Sequence, residues 1–300
     1  MPCRRAALPE GGEGTRAARG VPPAGRPHTT MPEGHLVHRH ARQLADAFAG
    51  TSVAASSPQG RFTEGAAAID GATLTGVAAH GKRLFLTFDE VSRVLHVHLG
   101  RQGLWLWGTH DLPPRPSVRL RLAAGGTTAD LIAPIVCELT GPDQRDAIVQ
   151  ELGPDPLRSD ADPDRARAAI QASRRPTGAL LLDQSVIAGL GNVLRAEILN
   201  LVGVHPAIPG ASVTPEVFDA LWTCTTEVMR RAEDEGRIIT RRPEGVAVEE
   251  LDEIEGRFVY GRQTCGRCGT VLEQLTIGGR AIAACPVCQP RPRPSAGAEP

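Results

Sequence analysis

Apolar residues first recur at helical spacing, at Leu36, Val37, Ala41, Leu44, Ala47 and Phe48, as far as Gly50, which supplies a stop. Between residues 51 and 140 the period changes to two. Leu84 to Phe88 is a compact apolar run, Leu95, Val97 and Leu99 alternate with His96 and His98, and Val118, Leu120 and Leu122 alternate with Arg119 and Arg121. Short strands broken by Gly and Pro turns predict an antiparallel sandwich. Two prolines in Glu151-Leu-Gly-Pro-Asp-Pro-Leu157 break any regular element and mark a change of domain. Beyond them the spacing is helical again. It predicts helices over 179–186, 193–201 and 216–235, the last with Val217, Leu221, Val228 and Ala232 on one stripe.

Between the first two of these helices lies Ile187-Ala-Gly-Leu-Gly-Asn192, a tight glycine turn ending at a helix start. Asn192 is a good N-cap residue, and Gly189 and Gly191 let another backbone come close. The positive end of that helix can hold a phosphate; a plain interhelical turn is the other reading. Gly81-Lys82-Arg83 is a turn just before a strand, and on the residues alone Lys82 reads as a solvated hairpin lysine.

Composition narrows the function classes. Three hundred residues suit two or three modules. No run of about 18 apolar residues is present, so we expect no membrane partner. The formal charge of −1 hides an uneven distribution: five Arg oppose two acids in residues 1–31 and two Arg oppose one acid in the last ten, so 32–290 carries about −5. Any nucleic-acid surface must therefore be local. Residues 1–31 are rich in Ala, Gly, Pro and Arg without apolar period and read as a disordered extension from an upstream start; 291–300 read as a disordered tail.

An odd count of seven cysteines without a secretory signal argues for a reducing, cytoplasmic setting. Cys137 and Cys224 lie in strand-like and helical apolar runs and read as core. Cys265-Gly-Arg-Cys268, sixteen residues, then Cys285-Pro-Val-Cys288 has the spacing of a four-thiolate ribbon, which predicts one structural Zn2+ with no open coordination position. Arg257, Arg262, Arg267 and Arg280 surround it and form the expected local positive surface, with Arg280 in a Gly278-Gly279 hairpin turn. The early histidines His35, His38 and His40 lack a nearby carboxylate pair or cysteine and read as solvated helix residues.

Met31-Pro32-Glu33-Gly34-His35 reads as a true amino terminus. With Met31 trimmed, Pro32 carries a free secondary amine, and an α-amino group of pKa roughly 8 is partly neutral near pH 7. An amide-bonded proline nitrogen has no usable lone pair, so we expect the working chain to begin at Pro32.

Taken in order, the MPEG start, the Gly-Lys hairpin, the LGPDPL linker, the GLGN turn and the paired CxxC motif ending in CPVCQ resemble the formamidopyrimidine-DNA glycosylase and endonuclease VIII family over residues 31–289. The SSPQGRF stretch at 56–62, VHLG at 97–100 and the run from Ser173 to Asn192 look most like its actinobacterial endonuclease VIII-like branch. The resemblance implies an α+β fold: an N-terminal β-sandwich with a flanking helix over 32–145, a helix-two-turn-helix domain over 155–255 and a β-hairpin zinc finger over 256–290. It implies a monomeric, nucleoid-associated enzyme whose partner is damaged DNA, a glycosylase and AP lyase with Pro32 as nucleophile and Glu33 handling protons. The resemblance places Lys82 in the catalytic set with them, contacting the DNA backbone near the damaged sugar, while Asn192 and Arg280 grip the phosphates flanking the lesion. Two departures matter. The family's apolar wedge after the HLG segment is replaced by Arg101, followed by Gln102, and the second acidic residue of the opening is Leu36. Oxidised pyrimidines are the favoured substrates, oxidised purines the sister specificity. A non-catalytic damage-binding protein follows if the extension is retained, and a zinc-ribbon RNA module leaves the Pro-Glu start unexplained.

Overall fold

The computed structural model describes residues 31–110 and 113–291. Residues 1–30 of the expected extension over 1–31, and all but the first residue of the expected tail, lie outside the described residues. The chain divides into two compact units, one ending at Leu152 and the other beginning at Gly153.

The first unit opens with α1 (Gly34–Phe48). There follow β1 (Ala54–Ser56), α2 (Thr63–Ile69), β2 (Leu74–His80), β3 (Arg83–Phe88), β4 (Val94–His98), β5 (Leu104–Thr109), β6 (Val118–Ala124), β7 (Thr127–Ile132), β8 (Val136–Thr140) and α3 (Pro142–Gln150). The strands make two antiparallel four-stranded sheets, in the orders β1-β6-β7-β5 and β2-β3-β4-β8. Register places Leu84 opposite Val97 and Leu86 opposite Leu95 in one sheet, and Leu120 opposite Leu131 in the other. Because side chains alternate between faces, these residues share one buried core with Val37, Leu44 and Phe48 of α1. The sandwich predicted from the period of two is present. The intervening Arg121 turns outward and makes a two-point pair with Asp130, both bonds 2.7 Å.

The second unit holds α4 (Pro163–Gln171), α5 (Thr177–Leu180), α6 (Asn192–Val202), α7 (Pro215–Glu235) and the hairpin β9 (Glu273–Ile277) and β10 (Arg280–Ala284). α7 has Thr214 as N-cap, Pro215 in its first turn and Gly236 at φ +76 to end it. Its stripe of Phe218, Leu221, Cys224, Val228 and Met229 joins Leu190, Leu194 and Ile198 in a single core.

Four local expectations need correction. The helix expected over 179–186 is only the short α5, because the next residues bond through side chains: Asp183 accepts from Ser185 N–H and Oγ–H, while Gln184 donates to the Leu182 and Leu190 carbonyls and accepts from Gly189 N–H. Asn192 is not an N-cap; Gly191 holds that position with no side-chain cap. His35 is buried rather than solvated, since the start of α1 as well as its stripe packs inward. Arg257 does not belong to a positive surface: it is 4% exposed, pairs with Glu253 at 2.6 Å and donates to the Ile238 carbonyl.

Candidate functional site

In the first unit, Pro32 leads directly into α1 and is half-buried. Glu33 is the N-cap residue of α1, its backbone carbonyl accepting from Leu36 and Val37 N–H, yet its side chain does not cap the helix and is only 2% exposed.

Lys82 occupies the tip of the β2–β3 hairpin. His80 pairs with Arg83, leaving a two-residue loop in which Gly81 has φ +57 and Lys82 does not, the II′ arrangement that demands glycine first. Next to it stands His98, which sequence reasoning did not single out. Burial, then the charges of Arg83, Lys82 and His96, push His98 down to about 4. Its neutral Nδ1 accepts the Gly100 N–H at 3.1 Å and so anchors the β4–β5 loop. The loop closes with Gly103 N–H on the Leu99 carbonyl, 2.9 Å. A Cβ on Gly103 would lie 2.3 Å from that oxygen, so only glycine fits. Arg101 and Gln102 are thereby held out at the tip, both exposed. The structure thus brings the Lys82 hairpin and the Arg101 loop together around His98.

The second unit assembles Asn192 and Arg280. Gly278 and Gly279, at φ +64 and +71, form the I′-type turn of the β9–β10 hairpin, and Arg280 follows it, exposed. Asn192 Nδ2 donates to the Ala281 carbonyl at 3.1 Å, joining the start of α6 to this hairpin. Two buried charged residues of α6 escaped the sequence reading. Arg195 donates to Asn192 Oδ1 and to carbonyls of the hairpin. Glu197 accepts the N–H groups of Phe258, Val259 and Tyr260 and the Thr240 hydroxyl. The signal that could have found both was a pair of opposite charges inside the apolar run Val193–Leu201.

The four cysteine sulfurs all lie within 4.8 Å of one another. Cys265 to Cys288 is 3.9 Å, Cys268 to Cys285 3.5 Å and Cys268 to Cys288 3.6 Å. Disulfides need about 2.05 Å, whereas a tetrahedral metal with ~2.3 Å bonds to sulfur sets its ligands ~3.8 Å apart. The thiol set therefore fits a tetrahedral metal ion. Gln289, buried, braces the second pair by accepting from Cys285 N–H and donating to the Val204 carbonyl. Among the described residues no helix is long and apolar enough to cross a membrane.

Residues 31–132 match the model of the formamidopyrimidine-DNA glycosylase N-terminal domain, and residues 152–243 that of the formamidopyrimidine-DNA glycosylase H2TH domain. The chain is 42% identical over 269 residues to Endonuclease 8 1 of Mycobacterium tuberculosis, covering 86% of this chain and 100% of the relative. It is 34% identical over 215 residues to formamidopyrimidine-DNA glycosylase of Streptococcus pneumoniae, covering 69% and 78%. A complex of wild-type Lactococcus lactis Fpg (MutM) with DNA containing N7-benzyl-Fapy-dG is similar in structure, with TM-score 0.71, 25% identity and coverage of 87% of this chain and all of that one. The expected α+β fold is present, and the chain belongs to the formamidopyrimidine-DNA glycosylase and endonuclease VIII family of base-excision-repair DNA glycosylases.

Proposed function

We propose that this glycosylase excises oxidised bases, pyrimidines foremost, and then cleaves the strand as an AP lyase, in a chain that begins at Pro32. The observation that carries the reading is the start of the family match at Met31, which makes Pro32 the second residue of the matched domain. The M. tuberculosis relative, matched over its whole length and more similar than the pneumococcal one, favours the endonuclease VIII specificity.

The Pro32 nitrogen attacks C1′ of the damaged nucleotide, and the base leaves with the electrons of the glycosidic bond. Opening of the sugar ring yields an iminium, which a secondary amine can form only as a cation. That cation withdraws electrons, so a C2′ proton is lost and the 3′ phosphate departs; a second elimination releases the 5′ phosphate. Glu33 gives and takes the protons of ring opening and base loss, shielded from bulk water. The nucleotide must first leave the stack, at a cost of a few kcal/mol. Arg101 and Gln102, held out on the glycine-anchored loop, fill the space it leaves. Lys82 contacts the backbone near the sugar, and Asn192 and Arg280 hold flanking phosphates, which position the duplex without reading its sequence. One zinc ion on Cys265, Cys268, Cys285 and Cys288 supplies structural cross-linking, since all four positions are taken by thiolates. The enzyme acts as a monomer on damaged DNA, in the cytoplasm with the nucleoid.

Borohydride trapping tests this. Protein beginning at Pro32 is mixed with oligonucleotides carrying an oxidised pyrimidine, 8-oxoguanine or an abasic site. A covalent adduct through Pro32, formed fastest on the pyrimidine lesion, is expected. No adduct on any of them overturns the lyase reading and leaves a damage-binding protein; a faster reaction with 8-oxoguanine reverses the specificity.

A further inference from the structure

Arg195 is a fully buried cation at the end of the first turn of α6. A guanidinium has five N–H donors, and five oxygens are in place for them. Nε donates to Asn192 Oδ1 at 3.0 Å; Nη1 to the carbonyls of Gly178 and Ile277 at 2.8 and 3.0 Å; Nη2 to those of Arg280 and Ala281 at 3.3 and 3.4 Å. Burying a full charge is unfavourable until its partners offset it, and an apolar side chain of similar volume often serves stability equally well. Stability alone therefore does not explain an arginine here, and the identity of what it binds does. Three of its five acceptors belong to residues 277–281, the turn that presents Arg280, and a fourth is the side chain of Asn192.

The chemistry of the amide makes the contact directional. Arginine donates and never accepts, so the atom of Asn192 facing it must be the oxygen. That places Nδ2 on the far side, where one of its hydrogens goes to the Ala281 carbonyl. The remaining hydrogen is then directed as a donor, which an anionic oxygen requires. Without Arg195 only the Ala281 carbonyl orients the amide, so the donor facing the phosphate is held by one contact instead of two. The same guanidinium holds the backbone oxygen of Arg280, so the two phosphate-binding side chains are set by one buried group.

We infer that Arg195 is the positioning residue of the phosphate grip: it fixes the amide of Asn192 donor-outward and holds the Arg280 turn against α6, without touching DNA. The inference rests on the reading of Asn192 and Arg280 given above.

The test is a double-mutant cycle on full-length protein beginning at Pro32, read as affinity for a duplex containing a tetrahydrofuran abasic analogue. Arg195→Lys keeps the charge and loses the fork; Arg195→Met keeps the volume and loses both. Each is first checked for one zinc per chain and an unaltered circular dichroism spectrum. Loss of a charge-assisted bond weakens binding about tenfold or more, so Asn192→Ala and Arg280→Ala should each do so. Arg195→Lys should weaken binding about as much as Asn192→Ala and, on a cleavable abasic-site duplex, should raise KM with kcat retained at saturating DNA. Adding it to Asn192→Ala should cost less than twofold further. Additive losses, or a wild-type affinity for both folded Arg195 variants, overturn the inference while leaving Asn192 and Arg280 as contacts. If Asn192→Ala and Arg280→Ala bind normally, the reading of the grip itself fails and the inference with it. If both Arg195 variants lose zinc and structure, Arg195 is a general folding residue and the inference also falls.

Discussion

Glu197→Gln removes one charge and one acceptor from a carboxylate that is completely buried in the second unit. Oε1 accepts from Val259 N–H at 2.9 Å and Tyr260 N–H at 2.7 Å; Oε2 accepts from Phe258 N–H at 2.8 Å and from the Thr240 hydroxyl. Glutamine keeps both bonds of one oxygen if that oxygen takes the Oε1 place. Its amino group then faces the Phe258 N–H, donor against donor, while the Thr240 hydroxyl can turn and accept. The two surviving backbone bonds fall from charge-assisted to neutral, about 1 kcal/mol each, and one orphaned buried N–H costs about 1–3 kcal/mol. Relief from burying a charge offsets part of this. The net loss is about 3 kcal/mol, and at 2–4 °C per kcal/mol the melting midpoint of the second unit should fall by about 10 °C. The assay is thermal melting followed by near-ultraviolet circular dichroism, with metal release recorded in parallel, because residues 258–260 lead into Cys265. Metal release should precede or accompany the shifted transition. A Glu197→Gln protein melting within about 2 °C of the parent would refute the assignment of this carboxylate as the anchor of the segment.

His98 makes the first unit sensitive to acid. Its folded pKa of about 4 lies below the ordinary 6.5, so the unfolded chain binds the extra proton first as pH falls. Its contribution to stability is complete above pH 6.5 and is lost progressively down to about pH 4; His98→Asn, which can offer an oxygen where Nδ1 stood, should lessen the fall of the melting midpoint over that window, with His40, also pushed down to about 4 by burial, and His96, lowered by burial, supplying the remainder. Metal analysis should find one zinc per chain, and Cys285→Ser should lower zinc occupancy and weaken DNA binding together; full occupancy in that variant would remove Cys285 from the ligand set.

Much of the candidate site was legible in order along the chain. The Gly-Lys turn, the glycine loop before α6 and the two CxxC pairs are signals in which the candidate residues sit within a few positions of one another. The helix expected over 179–186 failed for a local reason as well: Asp183 and Gln184 bond to nearby backbone and divert it from helix, which apolar spacing does not register. The expected positive surface around the cysteines lost Arg257 because Glu253 and a buried carbonyl claim it.

The sequence by itself determined the alternation that closes the sandwich, the extents of α6 and α7, and the cysteine spacing, because each depends on period or on short separations. Only the tertiary structure decided what the polar residues of those elements do. Asn192 meets a carbonyl 89 residues away, and Glu197 meets N–H groups 61 to 63 residues away. Nothing in Pro32-Glu33 announces that the carboxyl is buried; that follows from α1 packing against the sheets. Burial makes an unmet donor or acceptor expensive, so long-range partners assign these residues their roles, and such partners are invisible until the chain has folded.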